Sequence, residues 1–511
     1  MKRPVRIVLV AALFAGLATA SVPAANAVGY IPITGTGSTW SQNALDQWRK
    51  NVAANYGMTV NYSGVGSSAG RRDYIAGTVD FAVSEIPFQS NPEDGSAPET
   101  PPRGYAYMPI VAGGTAFMYN LRIGGKRVTN LRLSGDVITK IFTGAITKWN
   151  DAAIQADNPA LAMPDKAIVP VVRSDGSGTS AQFTLWMSKQ YGSLWKAGMR
   201  SQFPTPANGK AQNGSLGVAG YVSQDYGEGA ITYVEYSYAL KSGFPVAKVL
   251  NRSGYYVEPT ANSVAVALLS AGINSDLTQN LDNVYNSTDK RTYPLSSYSY
   301  MIVPTEVGGI FTAEKGATLG AFTRYMLCEG QQQAPALGYS PLPLNLVQAG
   351  SDQIKRIPGA GSAGIDFNSC NNPTFQAGDS PTSNRLAATA PQPAECDKKG
   401  PTQCATGTAG ATQDTPVTGT GGGGAASGGG GGGTDGTGGG GATGGDGGFD
   451  ENGNPLGGDN ASANGAVSKP FTVDDSAMGP SQWLMIAAAL LLFAVILAPP
   501  FISRRLRGDR K

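Results

Sequence analysis

From residue 28 to about residue 375 the chain alternates between short apolar, β-branched runs and stretches whose apolar positions recur at helical spacing. Thr59-Val60-Asn61-Tyr62, Val79 to Ser84, Pro109 to Asn120, Ile168 to Arg173 and Ala230 to Tyr236 read as strands. Arg71 to Ala76, Asp136 to Phe142 and Ser180 to Tyr191 read as helices. Such alternation predicts an α/β fold with mainly parallel sheets. About 345 residues exceed what one core holds, so two lobes are expected.

Three segments repeat one local design. Gly35-Thr36-Gly37-Ser38-Thr39-Trp40 opens a helical run containing Leu45 and Trp48, and Gly64-Val65-Gly66-Ser67-Ser68-Ala69-Gly70 opens a second. Asp175-Gly176-Ser177-Gly178-Thr179-Ser180 opens a third, with Phe183, Leu185 and Trp186. A Gly/Ser/Thr turn that leads into a helix aims free backbone N–H groups, hydroxyls and the positive end of the helix dipole at one spot, which suits an anion. Ser and Thr are also ordinary N-caps, so the argument rests on the repetition. Arg173 stands two residues before Asp175; its guanidinium can grip an oxyanion through two N–H groups while Asp175 holds it in place. Glu85 ends the strand that begins at Val79, where ligand residues of open α/β sheets sit. A carboxylate there fits an anion that carries a proton. Phosphate near neutral pH can donate one hydrogen bond and sulfate none, so an acceptor admits the first and repels the second.

Both ends carry membrane signals. Lys2, Arg3 and Arg6 precede an apolar run from Ile7 to Ala20, and Ala25-Asn26-Ala27 supplies small residues for cleavage, so residues 1–27 read as a secretory signal peptide. Residues 483–502 are apolar throughout, long enough to cross about 30 Å of hydrocarbon, and Arg504, Arg505, Arg507, Arg510 and Lys511 follow at once. The expectation is a single-pass cell-membrane protein: binding domain outside, residues 483–502 as the transmembrane helix, and 503–511 a basic cytoplasmic tail.

Composition sharpens this picture. Of 70 glycines, 25 fall within residues 401–460, and 421–448 holds only Gly, Ala, Ser, Thr and Asp. With no apolar surface to offset its ordering entropy, such a stretch reads as a flexible coil. Residues 387–411, rich in Pro, Thr and Gln, read as more of the same, so a disordered linker is expected over 376–480. The chain has no histidine, which excludes Ser-His-Asp and Cys-His chemistry and leaves the G-x-S-x-G match at Ser68 without its base. A net charge of +2 gives no argument for nucleic acid. The four cysteines fit no zinc spacing, so no metal is expected. Three disulfide connectivities are open; Cys328–Cys370 and Cys396–Cys404 are favoured because each pair shares a region.

The segments that carry these features also carry a resemblance. Thr34 to Trp40, Val60-Asn61-Tyr62 with Gly66-Ser67-Ser68, Thr78 to Ser84, Ile141-Phe142-Thr143-Gly144 with Lys148-Trp149-Asn150-Asp151, Arg173 to Ser180 and Tyr233-Val234-Glu235-Tyr236 follow one another in order. In this the chain resembles the phosphate-binding proteins of Pst-type ABC importers. The resemblance implies a two-lobed periplasmic-binding-protein-like fold (type II) over residues 28–375. Lobe one spans about 30–115 plus 300–375 and lobe two about 120–295, with crossings near 115–120 and 295–304. It implies phosphate held between the lobes by hydrogen bonds alone, with no cofactor and no catalysis. Its donors are Thr39, Trp40, Ser67, Arg173, Ser177, Gly178 and Thr179, with Asp175 as the ion-pair partner of Arg173. Trp40 replaces the usual phenylalanine. Glu85 replaces the usual aspartate and reaches about 1.5 Å further, one C–C bond.

The function expected is a membrane-tethered monomer that captures inorganic phosphate and delivers it to an ABC permease in the same membrane. A cell-surface oxyanion sensor or scavenger, or a structural surface protein without a transporter, is the alternative.

Overall fold

The computed structural model describes residues 29–92 and 95–411. The expected signal peptide, the Gly-rich stretch, the apolar run 483–502 and the basic tail lie outside the described residues. Among the described residues no helix is long and apolar enough to cross a membrane.

Local sequence explains the first elements. Strand β1 (Ile33–Gly37) leads through the first Gly/Ser/Thr turn into helix α1 (Gln42–Tyr56), which buries Ala44, Leu45, Trp48 and Val52, one helical stripe. Gly57 ends it in the left-handed conformation. Strand β2 (Val60–Gly64), helix α2 (Ser67–Ile75) and strand β3 (Phe81–Ser84) follow, and β1 pairs in parallel with both β2 and β3. Strand β4 (Tyr105–Tyr119) is longer than its apolar run from 109 suggests and buried along nearly its whole length.

The second lobe repeats the plan. Strand β5 (Val169–Arg173) feeds helix α3 (Gly178–Gln190), and strand β6 (Lys210–Gln212) feeds helix α4 (Gly214–Ser223). Strand β7 (Ala230–Glu235) runs into helix α5 (Tyr236–Ser242), and strand β8 (Val246–Leu250) follows. Strand β9 (Ser296–Pro304) then returns to the first lobe, which helices α6 (Ala313–Leu327) and α7 (Leu344–Ile354) complete.

One strand serves both lobes. The first part of β4 pairs antiparallel with β9, from Tyr105 opposite Pro304 to Gly114 opposite Ser296. Its last five residues, Thr115–Tyr119, pair antiparallel with β7 instead. The strand order is therefore β2-β1-β3-β9-β4-β7-β5-β6. The carboxyl ends of β1, β2 and β3 on one side, and of β5 and β6 on the other, carry the loops that meet. Separate cores flank the switch. One gathers Trp48, Phe81, Met301 and Phe322. Another stacks Phe117, Phe142, Phe183 and Tyr233. A third packs α4 through Val218, Ala219 and Val222. The change of partner falls at Gly114/Thr115.

Both favoured disulfides are formed, Cys328–Cys370 and Cys396–Cys404, each with Cα atoms 5.0 Å apart. The second corrects the linker boundary. Within the stretch read from composition as disordered, the segment from Leu386 to Ala409 is hydrogen-bonded to lobe two. Lys248 Nζ donates to both carboxylate oxygens of Asp397 at 2.8 Å, with both side chains largely buried. Arg132 Nη1 donates to the carbonyls of Cys396 and Thr402, and the Thr408 hydroxyl donates to the Val246 carbonyl at 2.6 Å. A polar segment can be ordered by specific partners rather than by apolar area. Those partners sit more than a hundred residues away in lobe two, where a composition window cannot see them.

Candidate functional site

Three helix starts converge on the space between the lobes. Gly66, with φ of 91°, and Gly178 show how close the approach is. A Cβ on Gly66 would lie 2.5 Å from Asp175 Oδ2, and one on Gly178 would lie 2.1 Å from Glu85 Oε2. Only glycine lets these backbones meet their neighbours. The Ser68 amide also donates to the Gly176 carbonyl at 3.1 Å, from lobe one to lobe two.

Hydrogen bonds gather most of the sequence-derived residues into two groups, one around Arg173 and one around Glu85. Arg173, at the end of β5, donates through Nε to Asp175 Oδ1 at 2.7 Å and through Nη2 to Asp175 Oδ2. Asp175 Oδ1 also accepts the Gly214 amide at 2.9 Å. Burial works against charge on both partners, but their pairing wins. Asp175 is held below the usual carboxylate range, chiefly by the Arg173 charge, and Arg173 is pushed above its ordinary value by Asp175. Arg173 Nη1 donates to Ser215 Oγ at 3.3 Å, and Ser215 Oγ lies 2.8 Å from Thr39 Oγ1 across the cleft. The Trp40 amide donates to Ser38 Oγ at 2.9 Å. Ser177 caps α3, accepting the Ser180 amide, and Thr179 Oγ1 is buried without a hydrogen-bond partner among the described residues.

Glu85 lies at the centre, wholly buried. Its Oε1 accepts Ser38 Oγ at 2.5 Å and Ser299 Oγ at 2.9 Å, and its Oε2 accepts Ser67 Oγ at 2.8 Å. Ser67 Oγ in turn accepts the Gly178 amide at 3.2 Å. Burial lifts the Glu85 carboxyl above the usual range, against the three serine hydrogen bonds and the nearby Arg173 charge.

Of the nine sequence-derived residues, Thr39, Arg173 and Asp175 meet around Ser215 and Gly214, and Ser67, Glu85 and Gly178 meet one another, with the Trp40 amide joined through Ser38; Ser177 and Thr179 stand at the start of α3. Ser38, Ser215 and Ser299 are further members that the sequence reading did not single out. Ser215 had a signal: Asn213-Gly214-Ser215 is a fourth Gly/Ser turn opening a helix. Ser38 stood within the first turn. Ser299 had none; a register shift between Ser299 and Tyr300 in the β9–β4 pairing marks an irregularity of the kind that re-aims a side chain.

Comparison with known proteins shows the family. The family model described as "PBP superfamily domain" matches residues 20–329. Phosphate-binding protein PstS of Xylella fastidiosa (strain Temecula1) is 34% identical over 330 residues, 64% of this chain and 85% of that protein. The chain belongs to the PstS family of phosphate-binding proteins, within the PBP superfamily. Phosphate-binding protein PstS 2 of Mycobacterium tuberculosis is 31% identical over 60% of this chain and 82% of its own length. A solved structure, a high affinity periplasmic phosphate-binding protein (PfluDING) bound with phosphate, covers 68% of this chain and 100% of its own at 19% identity, with a TM-score of 0.48. The family is one of substrate-binding proteins, not enzymes.

Proposed function

We propose that the chain captures inorganic phosphate between its two lobes and passes it to an ABC importer in the cell membrane. The observation that carries the reading is the meeting of donors from both lobes at one buried point. Ser67 of α2 accepts the Gly178 amide at the start of α3 across the cleft, and the Arg173 guanidinium reaches Thr39 of lobe one through Ser215. Hydroxyls, helix-start amides and one fixed guanidinium can surround a tetrahedral oxyanion without a metal. Thr39, the Trp40 amide, Ser67, Arg173, Ser177, Gly178 and Thr179 are the ligand-holding groups of this reading, and Asp175 fixes Arg173. Leaving the bonds that Ser215 and Thr39 make across the cleft opens the lobes; remaking them around the ligand closes it in.

The apolar run 483–502 and its basic flank make residues 412–482 the tether between the binding domain and the membrane. A coil of about 70 residues reaches on the order of 45 Å, at 5–6 Å × √n. Such a reach keeps the loaded domain near its permease at raised local concentration. Titration calorimetry of the full-length chain with phosphate, sulfate and arsenate tests the reading. Phosphate and arsenate are expected to bind, and no phosphate binding at micromolar concentration overturns it.

A further inference from the structure

Building on that reading, we propose that Glu85 is an intramolecular competitor of the anion. Its carboxylate occupies the serine donors of the cleft, and ligand enters by displacing it. The geometry is specific. Glu85 follows the last residue of β3, and its backbone carbonyl is held from lobe two by Gln182 Nε2 at 2.8 Å. From that fixed root the side chain reaches forward until Oε2 touches the Ser67 hydroxyl and would collide with a Cβ on Gly178, the first residue of α3. A negative oxygen beside a helix start and a serine hydroxyl is what an oxyanion ligand would itself supply there. On the other side Ser38 and Ser299 both donate to Oε1. The Ser38 oxygen also takes the Trp40 amide, so the first turn is organised around the same carboxylate. Two donating turns therefore already serve one negative group that belongs to the chain.

An aspartate at this position ends about 1.5 Å short of these oxygens, too short to engage Ser38, Ser67 and Ser299 from the same backbone position. The extra methylene converts an acceptor at the rim into an occupant of the centre. Where the competent state is only a fraction of the population, apparent affinity falls by that fraction. Withdrawal of Glu85 would thus set the phosphate concentration at which the receptor loads. Ser299 serves the device in a way that a ligand contact would not. On β9, its hydroxyl bonds Glu85 and, at 3.2 Å, the Ser41 hydroxyl, and it holds the carboxylate in place.

The test is calorimetry of the full-length chain with inorganic phosphate and sulfate, comparing wild type, Glu85→Asp, Glu85→Ala and Ser299→Ala, each checked for a cooperative melt. Glu85→Asp and Glu85→Ala are expected to bind phosphate at least tenfold more tightly than wild type, and Ser299→Ala about threefold more tightly. A carboxylate that serves phosphate only as proton acceptor gives the opposite sign for phosphate, with Glu85→Ala binding phosphate more weakly while sulfate, no longer repelled, binds more tightly. Folded variants that bind phosphate no tighter than a phosphate-binding wild type overturn the competitor while leaving the function standing. If the Glu85 variants do not fold, Ser299→Ala decides alone. Failure of wild type and all folded variants to bind either anion overturns both.

Discussion

Asp175→Asn separates the structural work of the cleft from its ligand work. Arg173 is 2% exposed and Asp175 11%, so the pair is nearly dry. The two direct bonds from Arg173 and the Gly214 amide converge on the carboxylate. Asparagine keeps one acceptor oxygen and loses the charge, which leaves a guanidinium buried without its counter-ion. Breaking a buried pair in this way costs about 3–5 kcal/mol. With unfolding entropy of about 2.1 cal/mol/K per residue over about 380 described residues, or ~0.8 kcal/mol/K, a loss of ~4 kcal/mol lowers the melting temperature by ~5 °C. A bound phosphate restores negative charge beside Arg173. Phosphate should therefore raise the melting temperature of the variant by more than it raises that of wild type, narrowing the gap between them.

The pH sign follows from the same pair. The folded carboxyl lies below its unfolded value, so its contribution is present above the unfolded pKa near 4 and is lost as pH falls through the folded value. The gap between wild type and variant should close in that acid window. Scanning calorimetry with and without phosphate, at neutral and acid pH, reads all three effects. A variant that melts within about 1 °C of wild type at neutral pH would falsify the account of the pair. So would a phosphate-induced rise no larger than that of wild type.

Three further predictions follow from other parts of the site and fold. Ser215→Ala removes a hydroxyl that links Arg173 to Thr39 across the cleft; phosphate affinity should fall by roughly three- to tenfold at about 1 kcal/mol per hydrogen bond, and unchanged affinity in calorimetry counts against the latch. Sulfate does not titrate in the working range, so its affinity should rise as pH falls toward the raised Glu85 pKa and the competing carboxylate is neutralised; the charged and titratable neighbours are Arg173, which stays protonated, and Tyr62 and Tyr300, both pushed up and neutral throughout, and a pH-independent sulfate affinity refutes this. Replacing both Cys396 and Cys404 by serine removes a cross-link with a sequence separation of 8, a loss of roughly 2.5 kcal/mol from chain entropy. Limited proteolysis should then cut within residues 395–411 before it cuts the lobes, and an unchanged cleavage pattern means the Lys248–Asp397 pair holds the segment alone.

What could be read in the sequence was whatever a short window contains. The run at 60 alternates buried and exposed positions, and those at 81, 169 and 230 are apolar enough to be buried almost throughout, so each is a strand; the Gly/Ser/Thr turns lead into helices, the third with Ser177 capping α3. Arg173 and Asp175 could be paired on paper because they stand two apart. The rest was illegible for one reason in several forms: the deciding partner was distant. Residues 376–411 looked disordered because their own composition offers little to bury, yet Lys248, Arg132 and Val246 supply what it lacks. Ser299 has no local mark at all, since an irregular register in β9 opposite β4 puts it against Glu85. Glu85 is the intermediate case. Its place at a strand end and its extra methylene were both visible, but the consequence of that methylene depends on what stands 1.5 Å further on. Ser38, Ser67, Ser299 and the start of α3 come from four separate parts of the chain, and only their convergence decides whether the longer carboxylate meets a ligand or takes its place.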